Sequence, residues 1–213
     1  ADLDLENNNQ KRLLRKLKKM DCLVARELLY FYEETRKKTL VFEDELLNYI
    51  HHSRIKEKDF YEAKCFYQKV SPLIAHVPRI LDCCAGQGLA GIIFALEGKA
   101  DEVTLVDIKR NSHYSGLLKY VQSLFPIKVD YQLKDINKEP MPSADLIISI
   151  HACNDLTDKT ISAALKQQVP FAVMPCCYSK SDQIENEILD YFPEKATAID
   201  IARITYAQSQ GYQ

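Results

Sequence analysis

The sequence predicts an α/β protein built on a doubly wound, mainly parallel sheet and preceded by a helical region. Three observations predict it. After residue 78, short apolar runs alternate with helix-spaced patterns. The first of those runs leads into three closely spaced glycines in a chain that has only six. Before residue 78 the apolar spacing is helical, and Pro72 and Pro78 close that region.

In the N-terminal region, Leu13, Leu14, Leu17, Met20, Val24, Leu28 and Phe31 recur at helical spacing over residues 11–34. Residues 43–51 and 58–70 predict two further helices. The strands are expected at Ile80–Cys83, Val103–Val106, Ile127–Tyr131, Leu146–Ile150 and Phe171–Met174. Helices over 88–97, 111–124 and 156–168 separate them, and 182–192 and 198–209 follow. The expected domains are therefore 1–78, helical, and 79–213, carrying the sheet. No internal repeat or low-complexity tract is present.

Composition narrows the functional classes. Hydrophobic residues make up 46% and charged residues 27% of the 213, which suits a soluble globular protein and excludes a fully disordered one. No apolar run approaches the roughly 20 residues that span a bilayer. The start, Ala1-Asp2-Leu3-Asp4, lacks the basic and apolar parts of a signal peptide. Seven cysteines, an odd number with two adjacent pairs, point to free thiols in a reducing cytoplasm. The net charge of −2 hides an asymmetry. Residues 11–38 hold ten basic and four acidic residues, whereas residues 79–213 carry a net −4. The basic stretch is either a solvated helix face or an electrostatic footprint for nucleic acid.

The segment Leu81-Asp82-Cys83-Cys84-Ala85-Gly86-Gln87-Gly88-Leu89-Ala90-Gly91 reads as a strand, a glycine turn and a helix. Such glycines allow a tight turn and a close ligand approach to the backbone. About twenty residues on, a second strand ends in Asp107, where a carboxylate can accept from both ribose hydroxyls. A dinucleotide and S-adenosylmethionine both satisfy that pattern. Asp82, four residues before Gly86, favours the second, because it can serve an amino-acid ammonium that a nicotinamide dinucleotide lacks. Asp135 after the third strand can accept from an adenine amino group while Ile136 or Ile108 packs on the ring.

With these residues, 79–192 resembles the class I S-adenosylmethionine-dependent methyltransferases, a Rossmann-like family. The resemblance implies that Asp82, Ala85, Gly86 and Gly88 form the methionine loop, that Asp107 holds the ribose and that Asp135 holds the adenine. Two further segments narrow it: His151-Ala152-Cys153-Asn154-Asp155-Leu156-Thr157-Asp158 and Pro175-Cys176-Cys177-Tyr178. They are similar to the His-Ala-Cys-Gly-x-x-Thr-Asp and Pro-Cys-Cys-Tyr motifs of a subgroup that includes a eukaryotic tRNA 2′-O-methyltransferase. Asn154 stands where that subgroup has Gly; Asn tolerates left-handed backbone better than most residues.

In a doubly wound sheet the ends of strands one, four and five lie together. Cys83, Cys84, His151, Cys153, Cys176 and Cys177 all fall there. Three roles are open to the cysteines: soft packing, a Cys/His metal site, or a nucleophilic thiolate. Their spacings lack the local C-x-x-C pairs of a zinc signature, so no metal is assigned. His151 is the candidate base and also a cofactor-binding residue beside the methyl donor, the alternative being a histidine bonded to nearby backbone. Asn154 and Asp155 either position an acceptor or cap the helix starting near Leu156. Thr157 and Asp158 read as first-turn helix residues, Tyr178 as a border of the pocket, and His51, His52 and His113 as surface.

The family usually adds two antiparallel strands after the fifth helix. This sequence ends with a helix running into Gly211-Tyr212-Gln213, as if into a strand, so a sheet of about five strands without the hairpin is expected. The function expected is methyl transfer from S-adenosylmethionine to RNA, with tRNA the particular acceptor and the 11–38 segment its contact. A small-molecule or protein acceptor, a non-catalytic module on the same fold, and a nicotinamide-dependent oxidoreductase are the alternatives. The Ala85–Gly88 turn and Asp82 speak against the last.

Overall fold

The computed structural model describes residues 40–111, 113–178 and 194–212. The helices expected over 11–34 and 182–192, and the basic segment 11–38, lie outside these residues. The chain divides into two compact units, Ala1–Val41 and Phe42–Gln213. The second unit holds every element described below, so it begins well before the boundary expected at residue 78.

The described elements run α1 (Glu43–His51), α2 (Glu57–Val70), a short 3-10 turn (Ser71–Leu73), β1 (Val77–Cys83), α3 (Leu89–Leu96) and β2 (Ala100–Asp107). They continue with α4 (Tyr114–Leu124), β3 (Val129–Leu133), β4 (Leu146–Ile150), α5 (Asp155–Gln167), β5 (Phe171–Met174) and α6 (Lys195–Ser209). The five strands form one sheet in the order β3-β2-β1-β4-β5, and every pairing is parallel. The strand order reverses between β1 and β4. Neighbouring crossovers leave in opposite directions there and open a crevice at the carboxyl ends of the strands.

Each expected strand is present. β3 starts two residues later than expected because Pro126 has no N–H and the Ile127 N–H turns back to the Phe125 carbonyl, so the ladder begins at Lys128. At the other end of the chain, the expected turn into a strand is a side-chain anchor. After α6 the chain turns at Gly211, and the Tyr212 hydroxyl donates to the Val169 carbonyl at 2.9 Å, with its ring 5.6 Å from Phe171.

α3 is buried around most of its circumference, with Ile92, Ile93 and Phe94 fully enclosed. It packs close to β2 because Gly91 faces that strand; a Cβ there would run into Leu105 and Val103. α1 and α2 belong to this unit because their apolar faces need the same core. Phe60 is fully buried, Tyr67 and Phe66 meet Phe94 at ring distances of 5.0 and 6.1 Å, and Tyr49 stacks on Tyr120 of α4 at 4.9 Å. A buried Lys64–Glu43 ion pair links α2 to α1. Among the described residues, no helix is long and apolar enough to cross a membrane.

α6 is held by a buried charge. Arg203 donates from Nε to Asp158 at 2.6 Å, with the two side chains 4% and 1% exposed. Its remaining nitrogens reach the Asn154 carbonyl at 3.1 Å and Asp200 at 3.2 Å. Removing one member of such a pair leaves the other charge buried without its partner, which costs about 3–5 kcal/mol. Arg203→Ala is therefore expected to lower unfolding free energy by about that amount in urea titrations. Replacing Arg203 and Asp158 together by Met and Leu restores most of the loss; equal losses in the single and double variants would contradict this.

Candidate active site

The carboxyl ends of β1 to β4, with α2 along one side, enclose a cleft of about 590 Å³. That volume lies in the ordinary range for small-molecule sites. Asp82, Ala85, Gly86, Asp107, Ile108, Asp135, Ile136 and His151 all line it. Eight of the nine positions assigned to the cofactor from sequence thus share one cavity. The ninth, Gly88, sits just behind as the cap of α3. Its φ is +76°, and a Cβ would lie 2.5 Å from Leu105, so the position requires glycine.

The turn is organised by its acids. Ala85 N–H donates to the Val106 carbonyl, and Gly86 N–H donates to Asp107 Oδ2 at 2.9 Å. The other Asp107 oxygen faces the Lys109 N–H at 3.4 Å. Gly86 has φ +55°, and a Cβ on it would meet nothing within 4 Å, so its backbone borders open space. Tyr131 braces both loops: its hydroxyl lies 3.2 Å from the Gly86 carbonyl and 3.1 Å from that of Lys109. Nothing about Tyr131 in the sequence marks it for this beyond its place on a strand.

Asp82 is 1% exposed and accepts the Gly91 N–H at 3.0 Å. Burial, opposed by that hydrogen bond, raises its carboxyl to about 7, and the nearby Asp107 charge adds to the rise. Asp135 is shifted the other way, below the usual carboxylate range, by the Asn137 N–H and by Lys138 at 3.2 Å. Its carboxylate is thus engaged by its own turn as well as bordering the cleft. Ile108 is 67% exposed at the cleft and Ile136 is partly buried against the core.

His151 has φ +61°, and its N–H holds the Met174 carbonyl at 2.9 Å. Its ring is bonded not to nearby backbone but to Glu62 of α2, with Nε2 2.9 Å from Oε2. A carboxylate only accepts, so Nε2 carries the hydrogen. Nδ1 is buried without a partner among the described residues. The sequence reading missed Glu62 and Asp59, which lines the cleft and accepts from Gln87 at 3.3 Å. A signal existed: Asp59, Glu62, Ala63 and Phe66 share one helical stripe, placing two acids on a face otherwise committed to the core.

Asn154 and Asp155 do not line the cleft. Asn154 precedes α5 with φ +58° and ψ −127°, and the Leu156 N–H closes the turn onto Cys153. Those angles are the ones a type II′ turn requires at its first central position, where Gly is favoured. The turn survives with Asn. Asp155 is the first helical residue rather than the cap, and its charge sits favourably at the helix N-terminus. Thr157 and Asp158 are buried first-turn residues, the former bonded to the Ala152 carbonyl.

The five cysteines at the strand ends separate into three environments. Cys83 is core. Cys84 lines the cleft with φ +57°, and burial pushes its thiol up to about 12. Cys153, Cys176 and Cys177 form a cluster of their own. Cys176 is likewise pushed up to about 12, chiefly by desolvation. Neither thiol has the depressed pKa of a nucleophile.

A methyltransferase-domain family model matches residues 58–183, more than half of the chain. The chain belongs to this methyltransferase family. Its parallel sheet of order β3-β2-β1-β4-β5 is the Rossmann-like, S-adenosylmethionine-dependent methyltransferase fold expected from the sequence. Among curated proteins, the glutathione S-transferase C-terminal domain-containing proteins of Bos taurus and Xenopus laevis are similar. Identities are 30% over 112 residues and 28% over 116, covering 47% and 54% of this chain. The matched region spans only 16% and 18% of those proteins. Among solved structures, tRNA (uracil-54, C5)-methyltransferase of Pyrococcus abyssi with S-adenosyl-L-homocysteine aligns at TM-score 0.44 and 16% identity. That alignment covers 69% of this chain and 31% of that one. Magnesium protoporphyrin IX methyltransferase of Synechocystis PCC 6803 aligns at TM-score 0.39 and 18% identity, over 52% and 54% of the two chains.

The raised Asp82 carboxyl makes folding depend on pH. Between 3.8 and about 7 the unfolded chain releases this proton while the folded chain keeps it, so stability falls across that window and levels off above it. Asp82→Asn keeps the shape and the acceptor for Gly91 but removes the titration. Its Tm relative to wild type should climb through that window and then stay constant. A difference independent of pH would refute the assignment.

Proposed function

We propose that this chain transfers a methyl group from S-adenosylmethionine to RNA, with tRNA the first candidate, in a reducing cytoplasmic setting. The observation that carries the cofactor part is the convergence of Asp82, Asp107 and Asp135, from the ends of three successive strands, on one cleft beside His151. The RNA part is supported by the paired His151–Asp158 and Pro175–Tyr178 segments and by the basic 11–38 stretch. Seven cysteines, an odd number with two adjacent pairs, support the reducing setting.

The residues fit the cofactor chemically. Gly86 offers open backbone, Asp82 an acid for an ammonium, Asp107 two acceptors for ribose hydroxyls, and Asp135 with Ile108 and Ile136 an acid flanked by apolar surface for adenine. Bound there, S-adenosylmethionine supplies an activated sulfonium methyl. The chain's own task is to align the acceptor and take its proton. The imidazole–carboxylate pair of His151 and Glu62, at the edge of the cleft, acts as the base. Glu62 is a positioning residue that fixes the tautomer and steadies the imidazolium formed.

Calorimetric titration with S-adenosylmethionine tests the first half. Each hydrogen bond to a charged group contributes about 1.5–3 kcal/mol, so Asp107→Asn should weaken binding roughly 10–150-fold. Transfer of labelled methyl to total RNA, tRNA, protein and metabolite pools tests the second. His151→Ala should lower transfer by about 10²–10⁴ at saturating cofactor. Glu62→Gln should lower kcat and shift its pH profile while leaving KM unchanged. Label in protein or metabolites would replace the RNA reading, and binding without turnover in any pool would mark a non-catalytic module.

A further inference from the structure

The three sulfurs outside the cleft's cofactor half remain without a role. Cys153 follows β4; Cys176 and Cys177 follow β5. We propose that Cys153, Cys176 and Cys177 form a thiolate site for one zinc ion at the rim of the cleft, with a fourth position open to water or substrate. This goes beyond methyl transfer and does not depend on the acceptor.

Geometry carries the argument. The sulfur of Cys176 lies 3.1 Å from that of Cys153 and 3.5 Å from that of Cys177, and all three lie within 4.8 Å of one another. Zinc–sulfur bonds of about 2.3 Å in tetrahedral array place sulfurs about 3.8 Å apart. Both separations from Cys176 fall about 0.3–0.7 Å short of that value, and the third is no more than 4.8 Å, so small side-chain rotations suffice. Adjacent residues of an extended strand point their side chains to opposite sides. Cys176 and Cys177 depart from this, because beyond Pro175 the chain has left β5 and carries both sulfurs to one place.

The donor set selects the ion. Three sulfurs and no carboxylate favour a thiophilic cation and disfavour magnesium and calcium. Three protein ligands with a vacant fourth position are the arrangement of a reactive rather than a closed structural zinc site. Each ligating thiol gives its proton to solvent, and no electrons move.

The scaffold is fixed before any ion arrives. β4 and β5 pair in parallel to Ile150 and Met174, which sets the two loops side by side. α6 then grips both. Arg203 donates to the Asn154 carbonyl at 3.1 Å, and the Tyr178 hydroxyl donates to Asp200 at 2.8 Å with its ring 5.8 Å from the Arg203 guanidinium. Residues that orient ligands in this way are what a metal site needs beyond its ligands.

Cobalt(II) is the probe. The reduced, metal-free 213-residue chain, in a phosphine reductant, is titrated with cobalt(II), and sulfur-to-cobalt charge-transfer absorption is read. One cobalt per chain, displaced by zinc, is expected. Cys176→Ser, at an exposed position, and Cys153→Ser should each weaken binding by more than the roughly 10–100-fold that loss of an orienting partner alone costs. Cys65→Ala, buried in α2, should leave it unchanged. Thermal unfolding confirms that each variant is folded. Absence of the absorption in the reduced chain, or absorption untouched by Cys176→Ser, would overturn the proposal. So would a Cys153–Cys176 disulfide forming on removal of reductant in a chain that takes up no metal when reduced.

Discussion

Everything functional in this chain depends on one topological constraint, the reversal of strand order between β1 and β4. Five parallel strands need crossovers, and crossovers of one hand cannot all lie on one face once the order reverses. The gap this leaves at the carboxyl ends is where the backbone stops pairing with itself. Asp82, Asp107 and His151 therefore come together although they are spread over seventy positions of the chain. Gly91 and Gly88 let α3 approach β2, and this draws the turn between β1 and α3 to the floor of the cleft.

That gap is costly to maintain. Cys84, His151 and Asn154 all hold positive φ without being glycine, and all lie at the exits of β1 and β4. Strain of this kind persists where surrounding structure over-determines it. Here the surroundings are identifiable. Asp107 fixes Gly86, Glu62 holds the His151 ring, and Arg203 pins the carbonyl of Asn154. The Asp82 carboxyl is a second stored cost, because burial disfavours its charge. An ammonium brought beside it would relieve that cost, so the acid is better suited to a cationic ligand than to the empty fold.

α6 and α2 play matching roles from opposite sides. α6 uses a buried ion pair to hold the exits of β4 and β5, and α2 uses Asp59 and Glu62 to meet the glycine turn and the imidazole. Buried ion pairs contribute little net stability compared with apolar packing. Their value here is directional: Arg203 ties Asp158 and the Asn154 carbonyl of the β4–α5 segment to α6 while its guanidinium meets the Tyr178 ring beyond β5, which a leucine in the same space would not do.

The sequence by itself determined the strands, their parallel pairing and the glycine turn and acids that line the cleft. Those features are local: an apolar run of five residues, a glycine turn, and an acid at each strand end are readable wherever they occur, and topology rules assemble them. The partners that act on His151, the helical position of Asp155 and the meeting of Cys153 with Cys176 and Cys177 were decided only by the tertiary structure. Each joins residues from separate elements, and their distances follow from helix docking and strand register. Glu62 reaches His151 across 89 positions because Phe60, Phe66 and Tyr67 seat α2 against the core and α3, not because anything near either residue encodes the pair.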